Sequence, residues 1–169
     1  MLERISKIAL VASVALFLGI VALNNVIDYG SNFDFVKHVL SMDTTFSGNK
    51  LKGRALTEPA IHHVFYAGII AWEWIGTFSI GGSALYLWMR RRATAAEFDR
   101  AKSPAIASLT LNMLLWFTAF ITVGGEWFVM WQSQIWNGQT AAFRMFACIG
   151  IILLFLKTPD SELSPASKA

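Results

Sequence analysis

Hydrophobic positions gather into four long runs separated by polar, turn-forming stretches. The first run, Ile8 to Leu23, is extended by Val26 and Ile27 and predicts a span over about 7–28. The second, within 64–88, carries a single full charge, Glu73, in Ala71-Trp72-Glu73-Trp74-Ile75. The third and fourth cover about 104–128 and 139–156. Each is near the ~20 apolar residues that a bilayer-crossing helix needs, which predicts an all-α, polytopic four-transmembrane-helix bundle. The first run is similar to a signal peptide. No small-x-small cleavage pattern follows at Val21-Ala22-Leu23-Asn24-Asn25, so it reads as an uncleaved span.

Between the first two runs lies one long connection, 29–60. Phe33, Val36 and Leu40 fall on one helical face with Asp34, Lys37 and Ser41 elsewhere, predicting a short amphipathic helix lying in the interface. Ser31 and Asp34 have capping-box spacing at its start. Thr57-Glu58-Pro59 opens the second span, because proline fits where no amide donor is needed. Ser103-Pro104 opens the third, after a loop over 89–103. The chain reads as a single domain over 1–159 with a small, polar, disordered tail over 160–169.

Composition agrees with the pattern. The 169 residues are 55% hydrophobic and 15% charged, with a mean hydropathy of +0.50, against ~25% charged in soluble domains. One cysteine, Cys148, excludes a disulfide framework and a cysteine-built zinc site. The net charge of +3 comes from cations beside the spans, which points away from nucleic acid. Arg4, Lys7, Arg90, Arg91, Arg92, Arg100, Lys102, Lys157 and Lys168 fall on one side; Lys37, Lys50, Lys52, Arg54 and Arg144 fall on the other. Nine against five, with the densest group in a short loop, places both termini in the cytoplasm and the long first loop outside. Trp88, Trp127, Trp131 and Trp136 read as interfacial anchors. Trp72, Trp74 and Trp116 are deeper and either line a site or pack.

Candidate chemistry lies in the polar residues that a membrane resists. A central carboxylate costs roughly 2.5–3.5 kcal/mol on insertion scales, so Glu73 needs a reason. Arg144 must lie inside the outer leaflet, since Met145 to Leu156 alone is too short to span. Glu126 lies at similar depth and is the better placed partner for Arg144. That leaves Glu73 unpaired, hence protonated at neutral pH or bound to a cation. At 100° per residue His62, Tyr66, Ile69, Glu73 and Ile80 share one face of the second span. Ser108, Asn112, Ala119 and Glu126 make a comparable stripe on the third. Two such stripes either line a wet cleft or hydrogen-bond each other to fix the packing. Ser79 and Ser83, beside Gly81 and Gly82, form a small-xxx-small signal for close helix approach.

His62 and His63 are adjacent on a helix and point about 100° apart, so they cannot share a metal. No metal site and no cofactor is expected. A surface site using His38, His62 or His63 with Asp43 or Glu58 is the weak alternative to helix-terminus hydrogen bonding. No nucleophile–base pair or phosphate loop appears, so no catalytic residue is assigned and the chain reads as non-enzymatic.

The loop motifs carry a resemblance. Asn24-Asn25-x-x-Asp28-Tyr29-Gly30-Ser31-Asn32, Phe35-Val36-x-His38-Val39-Leu40-Ser41-Met42-Asp43-Thr44-Thr45 and Pro59-x-x-His62-His63 resemble one bacterial domain-of-unknown-function family. So do Gly124-Gly125-Glu126-Trp127-Phe128 and Met130-Trp131-Gln132-Ser133-x-x-Trp136-Asn137-Gly138-Gln139. The family is labelled predicted small integral membrane protein, and the resemblance runs from about Leu23 to Leu156. It implies a multi-pass protein of the bacterial inner membrane and supplies no activity. Most of the matching residues, including Asn25, Asp28, His38, Asp43, His62, His63, Trp127, Trp131 and Trp136, cluster at the outer face. The expected role is an accessory or ligand- or partner-binding membrane subunit acting through that face, in contact with the lipid bilayer and with a membrane-protein partner or a second copy. The alternative is a small proton-linked transporter or channel using Glu73.

Overall fold

The computed structural model describes residues 1–163. Among the described residues there are α1 (Leu2–Ile27), α2 (Tyr29–Ser41), α3 (Pro59–Arg90), α4 (Ala95–Ala101), α5 (Ser103–Leu114) and α6 (Gln139–Lys157), and no strand. α5 runs on into a more widely wound segment, Leu115–Trp127, with i→i+5 hydrogen bonding. α1, α3, the rod from Ala95 to Trp127, and α6 are each long and apolar enough to cross a membrane. All four expected spans are therefore present, with longer helices than the apolar runs alone suggest. The extra turns at Leu2–Ser6 and Pro59–His63 are amphipathic or polar, and their backbone gains intrahelical bonds that hydropathy does not register.

Close packing holds the rods together. α1 lies against α3, where a Cβ on Gly81 would sit 3.7 Å from Ala15 and one on Gly19 would sit 3.2 Å from the Thr77 methyl. Ser83 meets Ser108 of α5 with hydroxyl oxygens 3.4 Å apart, so part of the small-residue signal does mark a helix contact. Val11, Leu18, Ile80, Leu87, Leu109 and Leu156 fill the centre without solvent exposure. Between helices in lipid the drive is packing rather than water exclusion, and small residues at the crossing permit it.

The end where α1 begins and α6 ends is closed by charge. Arg4, Lys7 and Lys102 are buried around Asp160. Lys7 Nζ donates to Asp160 at 2.9 Å and to the Thr158 carbonyl at 2.8 Å, and Lys102 pairs with the same carboxylate. Arg4 lies 3.7 Å from Asp160 and donates to the carbonyls of Arg91, Ala93 and Ser161. Burial alone would raise the Asp160 pKa, but the hydrogen bonds from Lys102 and Lys7 outweigh it and hold the carboxyl below its ordinary value of 3.8. These cations thus bind the end of the bundle together.

Three local expectations change. The tail was expected to be disordered from Asp160, but Asp160 is an ion-pair centre and Glu162 accepts from the Ala95 amide at 3.0 Å. Residues 164–169, with Lys168, lie outside the described residues. The loop over 89–103 contains a helix, α4, begun by a Thr94–Glu97 capping box. α2 starts at Tyr29 rather than after Ser31, one residue beyond α1, and the Ser31 hydroxyl donates instead to Asp28 at 2.7 Å. Asp28 already occupies the cap position, so Ser31 falls inside the helix.

Candidate functional site

At the opposite end α2 lies across the bundle as a roof. Val36, Val39 and Leu40 are buried against Tyr66, Phe128, Val129 and Met130. The amphipathic face expected to rest on the interface rests on protein. Phe35 packs onto Gly138, where a Cβ would come within 2.8 Å of its ring. All three histidines pin this roof. His38 stacks on Trp136 with centroids 4.7 Å apart and donates to Asp43 at 2.7 Å. His62 donates to the Leu56 carbonyl at 2.7 Å and lies 3.5 Å from the Ser41 hydroxyl. His63 stacks on Phe33 at 4.3 Å and shares a 2.8 Å hydrogen bond with the Tyr29 hydroxyl.

Beneath the roof is a cavity of about 250 Å³ bounded by α1, α2, α3, the widened segment and α6. Its walls are mainly apolar: Val21, Phe35, Val36, Ile69, Trp116 and Phe120 among them. A second hollow of about 140 Å³ shares Phe35, Val36, Ile69 and Phe120 and extends toward Met130. Polar groups occupy one side of the larger cavity. Asn32, at its exposed rim, donates to Asn25 Oδ1 at 2.6 Å, and Asn25 Nδ2 donates to Glu73 Oε2 at 2.8 Å. The Tyr66 hydroxyl donates to the Asn25 carbonyl at 3.3 Å. Glu73 is 2% exposed, and among the described residues no cation lies within 4.0 Å of it. The buried indole N–H of Trp116 has no partner among the described residues. Below Glu73, Gly76 receives Asn112, which would overlap any Cβ there, so α3 and α5 are in close contact one turn further along α3.

The stripe expected on α3 is present. His62, Tyr66, Glu73 and Ile80 are all buried on one face. On the third rod the expectation fails beyond Leu114. Wider winding advances each residue by less than the 100° of an α-helix, so the inward positions become Trp116, Phe120 and Gly124–Gly125. Glu126 is consequently exposed, as is Arg144 on α6. No ion pair joins them among the described residues, which corrects the expected Arg144–Glu126 pair.

The structure therefore brings Asn25, Tyr66 and Glu73 to one cavity and leaves Asn112 just beneath it. Trp127 is held at the surface under the Arg54 guanidinium, 4.5 Å from its ring, and Trp131 packs on Phe46. Among the described residues no three His, Cys, Asp or Glu side chains converge as metal ligands, although His38 and Asp43 do meet. Phe120, and Asn32 and Phe35, which enter above only as members of the loop motifs, also line the cavity without having been singled out as candidates. Their signal was weak, since Asn32 and Phe35 fall on the polar flank of an amphipathic helix.

The model of a family described as predicted small integral membrane protein (DUF2165) matches residues 3–159. The chain belongs to that family. The match covers all four membrane rods and the roof helix, so the resemblance carried by the loop motifs is borne out. This DUF2165 member is a multi-pass integral membrane protein in contact with lipid. No curated protein and no solved structure matches it.

Proposed function

We propose that this DUF2165 protein is a non-enzymatic binding protein of a bacterial inner membrane that takes a small, mainly apolar molecule with one polar end into the cavity under α2. Its termini are cytoplasmic and the roof faces outward, following the distribution of cations. The observation that carries the reading is the hollow at Glu73. A mostly apolar cavity with a few convergent polar groups is the usual form of a small-molecule site. Here those groups are the members of the Asn32–Asn25–Glu73 chain.

Binding is favoured over conduction by what lies beneath. The Asn112–Gly76 contact, the sealed layer of Ile80, Leu87 and Leu109, and the Arg4–Lys7–Lys102–Asp160 cluster stand between Glu73 and the other end. A proton-linked carrier would have to open all three.

Native mass spectrometry of protein extracted mildly from its own membrane tests the proposal. Wild type is expected to retain a bound small molecule, and Ala141→Phe, at an exposed position on the cavity wall, is expected to lose it. Retention of the same bound mass by Ala141→Phe would place the site elsewhere.

A further inference from the structure

We propose that the cavity selects an organic cation, an alkylammonium whose charge is met by Glu73 and whose alkyl groups lie on the surrounding aromatic rings. The inference rests on the binding reading above and adds the ligand class. Glu73 is the one carboxylate among the lining residues, and the lining contains no lysine, arginine or histidine. Its nearest polar partner is the neutral Asn25 amide, so among the described residues no cation would balance Glu73 once it ionises. At the terminal end the same fold surrounds a buried carboxylate with three cations. At Glu73, among the described residues, it provides none.

What it provides instead is aromatic surface. Trp116 and Phe120 lie with ring centroids 5.0 Å apart, Phe120 and Phe35 stack at 6.4 Å, and Tyr66 completes the lining. Aromatic faces attract cations through their quadrupoles, most strongly where water is excluded, and such cages suit quaternary ammonium groups. An anionic ligand would meet only repulsion from Glu73. A neutral apolar ligand would make no use of the carboxyl. An inorganic cation would find one carboxylate and no cluster of further anionic ligands. The alkylammonium satisfies charge and apolar wall together.

The test uses benzyltrimethylammonium and its uncharged carbon isostere neopentylbenzene, with the full chain in phosphatidylglycerol nanodiscs. Equilibrium dialysis measures the binding that wild type shows in excess of Ala141→Phe, so partition into lipid cancels. Wild type is expected to bind the cation at least about ten-fold more tightly than the isostere, which corresponds to about 1.4 kcal/mol. Glu73→Gln is expected to lose that preference while still binding the isostere. Equal affinity for the two probes, or an undiminished preference in Glu73→Gln, would overturn the cation class and leave the cavity reading intact. No excess for either probe would overturn both. Adding phosphatidylethanolamine to the nanodiscs separates the sources of the same chemistry. Weaker binding of the probe would show a lipid headgroup ammonium competing for the site, and unchanged binding would show a site for free organic cations; either supports the class.

Discussion

The two ends of the bundle each bury charged or polar groups, and they treat them in opposite ways. At the terminal end Asp160 sits among Arg4, Lys7 and Lys102, with backbone carbonyls of Arg91, Ala93, Thr158 and Ser161 taking further hydrogen bonds. At the roof end Glu73 has one amide for company and borders open volume. A buried charge that is paired and packed over is an element of structure. A buried carboxylate beside a hollow, with no counter-charge, is costly unless something arrives to use it. The contrast separates a clasp from the proposed site within one small protein.

The largest expected effect comes from removing the anion of the clasp. Asp160→Ala removes the buried carboxylate that Arg4, Lys7 and Lys102 share and leaves Lys7 and Lys102 only their half-exposed partners Glu3 and Asp99, and breaking such a group costs up to about 3–5 kcal/mol. Thermal unfolding in detergent should show the loss clearly; a melt like that of wild type would mean that the cluster carries no stability. Acid should act on the same group. Because pairing lowers the Asp160 pKa in the folded state, its contribution is present above 3.8 and disappears as pH falls through the lower folded value. The stability gap between wild type and Asp160→Asn should hold steady from neutral pH to about 4 and narrow below it. A gap that closes nearer neutrality would contradict this assignment.

Glu73→Gln should be the milder change. It keeps the size and one hydrogen bond to Asn25 while removing the uncompensated carboxyl, so stability should shift by no more than about 1 kcal/mol. A loss as great as that of Asp160→Ala would make Glu73 a structural residue and erase the contrast. Smallest of all are Glu126→Gln and Arg144→Ala, both exposed. Each should lie within about 0.5 kcal/mol of wild type, and the double variant should be additive. A coupling above about 0.5 kcal/mol would restore the pair.

How much of this was legible in the sequence follows from which rule each residue obeys. α3 is a regular helix across the membrane, so 100° per residue placed His62, Tyr66 and Glu73 on the inward face correctly. The third rod changes its winding after Leu114, and the same arithmetic then turned Glu126 inward and overlooked Phe120. Nothing in Leu115–Trp127 announces the change, because i→i+5 bonding depends on neighbours as much as on local residues. Asp160 was lost for another reason. It follows Pro159 in a short polar stretch that reads as a tail, and its partners Lys7 and Lys102 lie 153 and 58 positions earlier in the chain, beyond the reach of local pattern. The cavity is the least legible feature of all, since it is the space left by five segments at once.

The central contrast can be read in one labelling measurement. Dicyclohexylcarbodiimide is a membrane-soluble reagent for carboxyl groups held in apolar surroundings, and peptide mass spectrometry locates its adducts. The account predicts that in membranes it labels Glu73, which borders a cavity of about 250 Å³, and leaves Asp160 unmodified inside its cluster of cations. Labelling of Asp160 at a rate equal to or above that of Glu73 would contradict it.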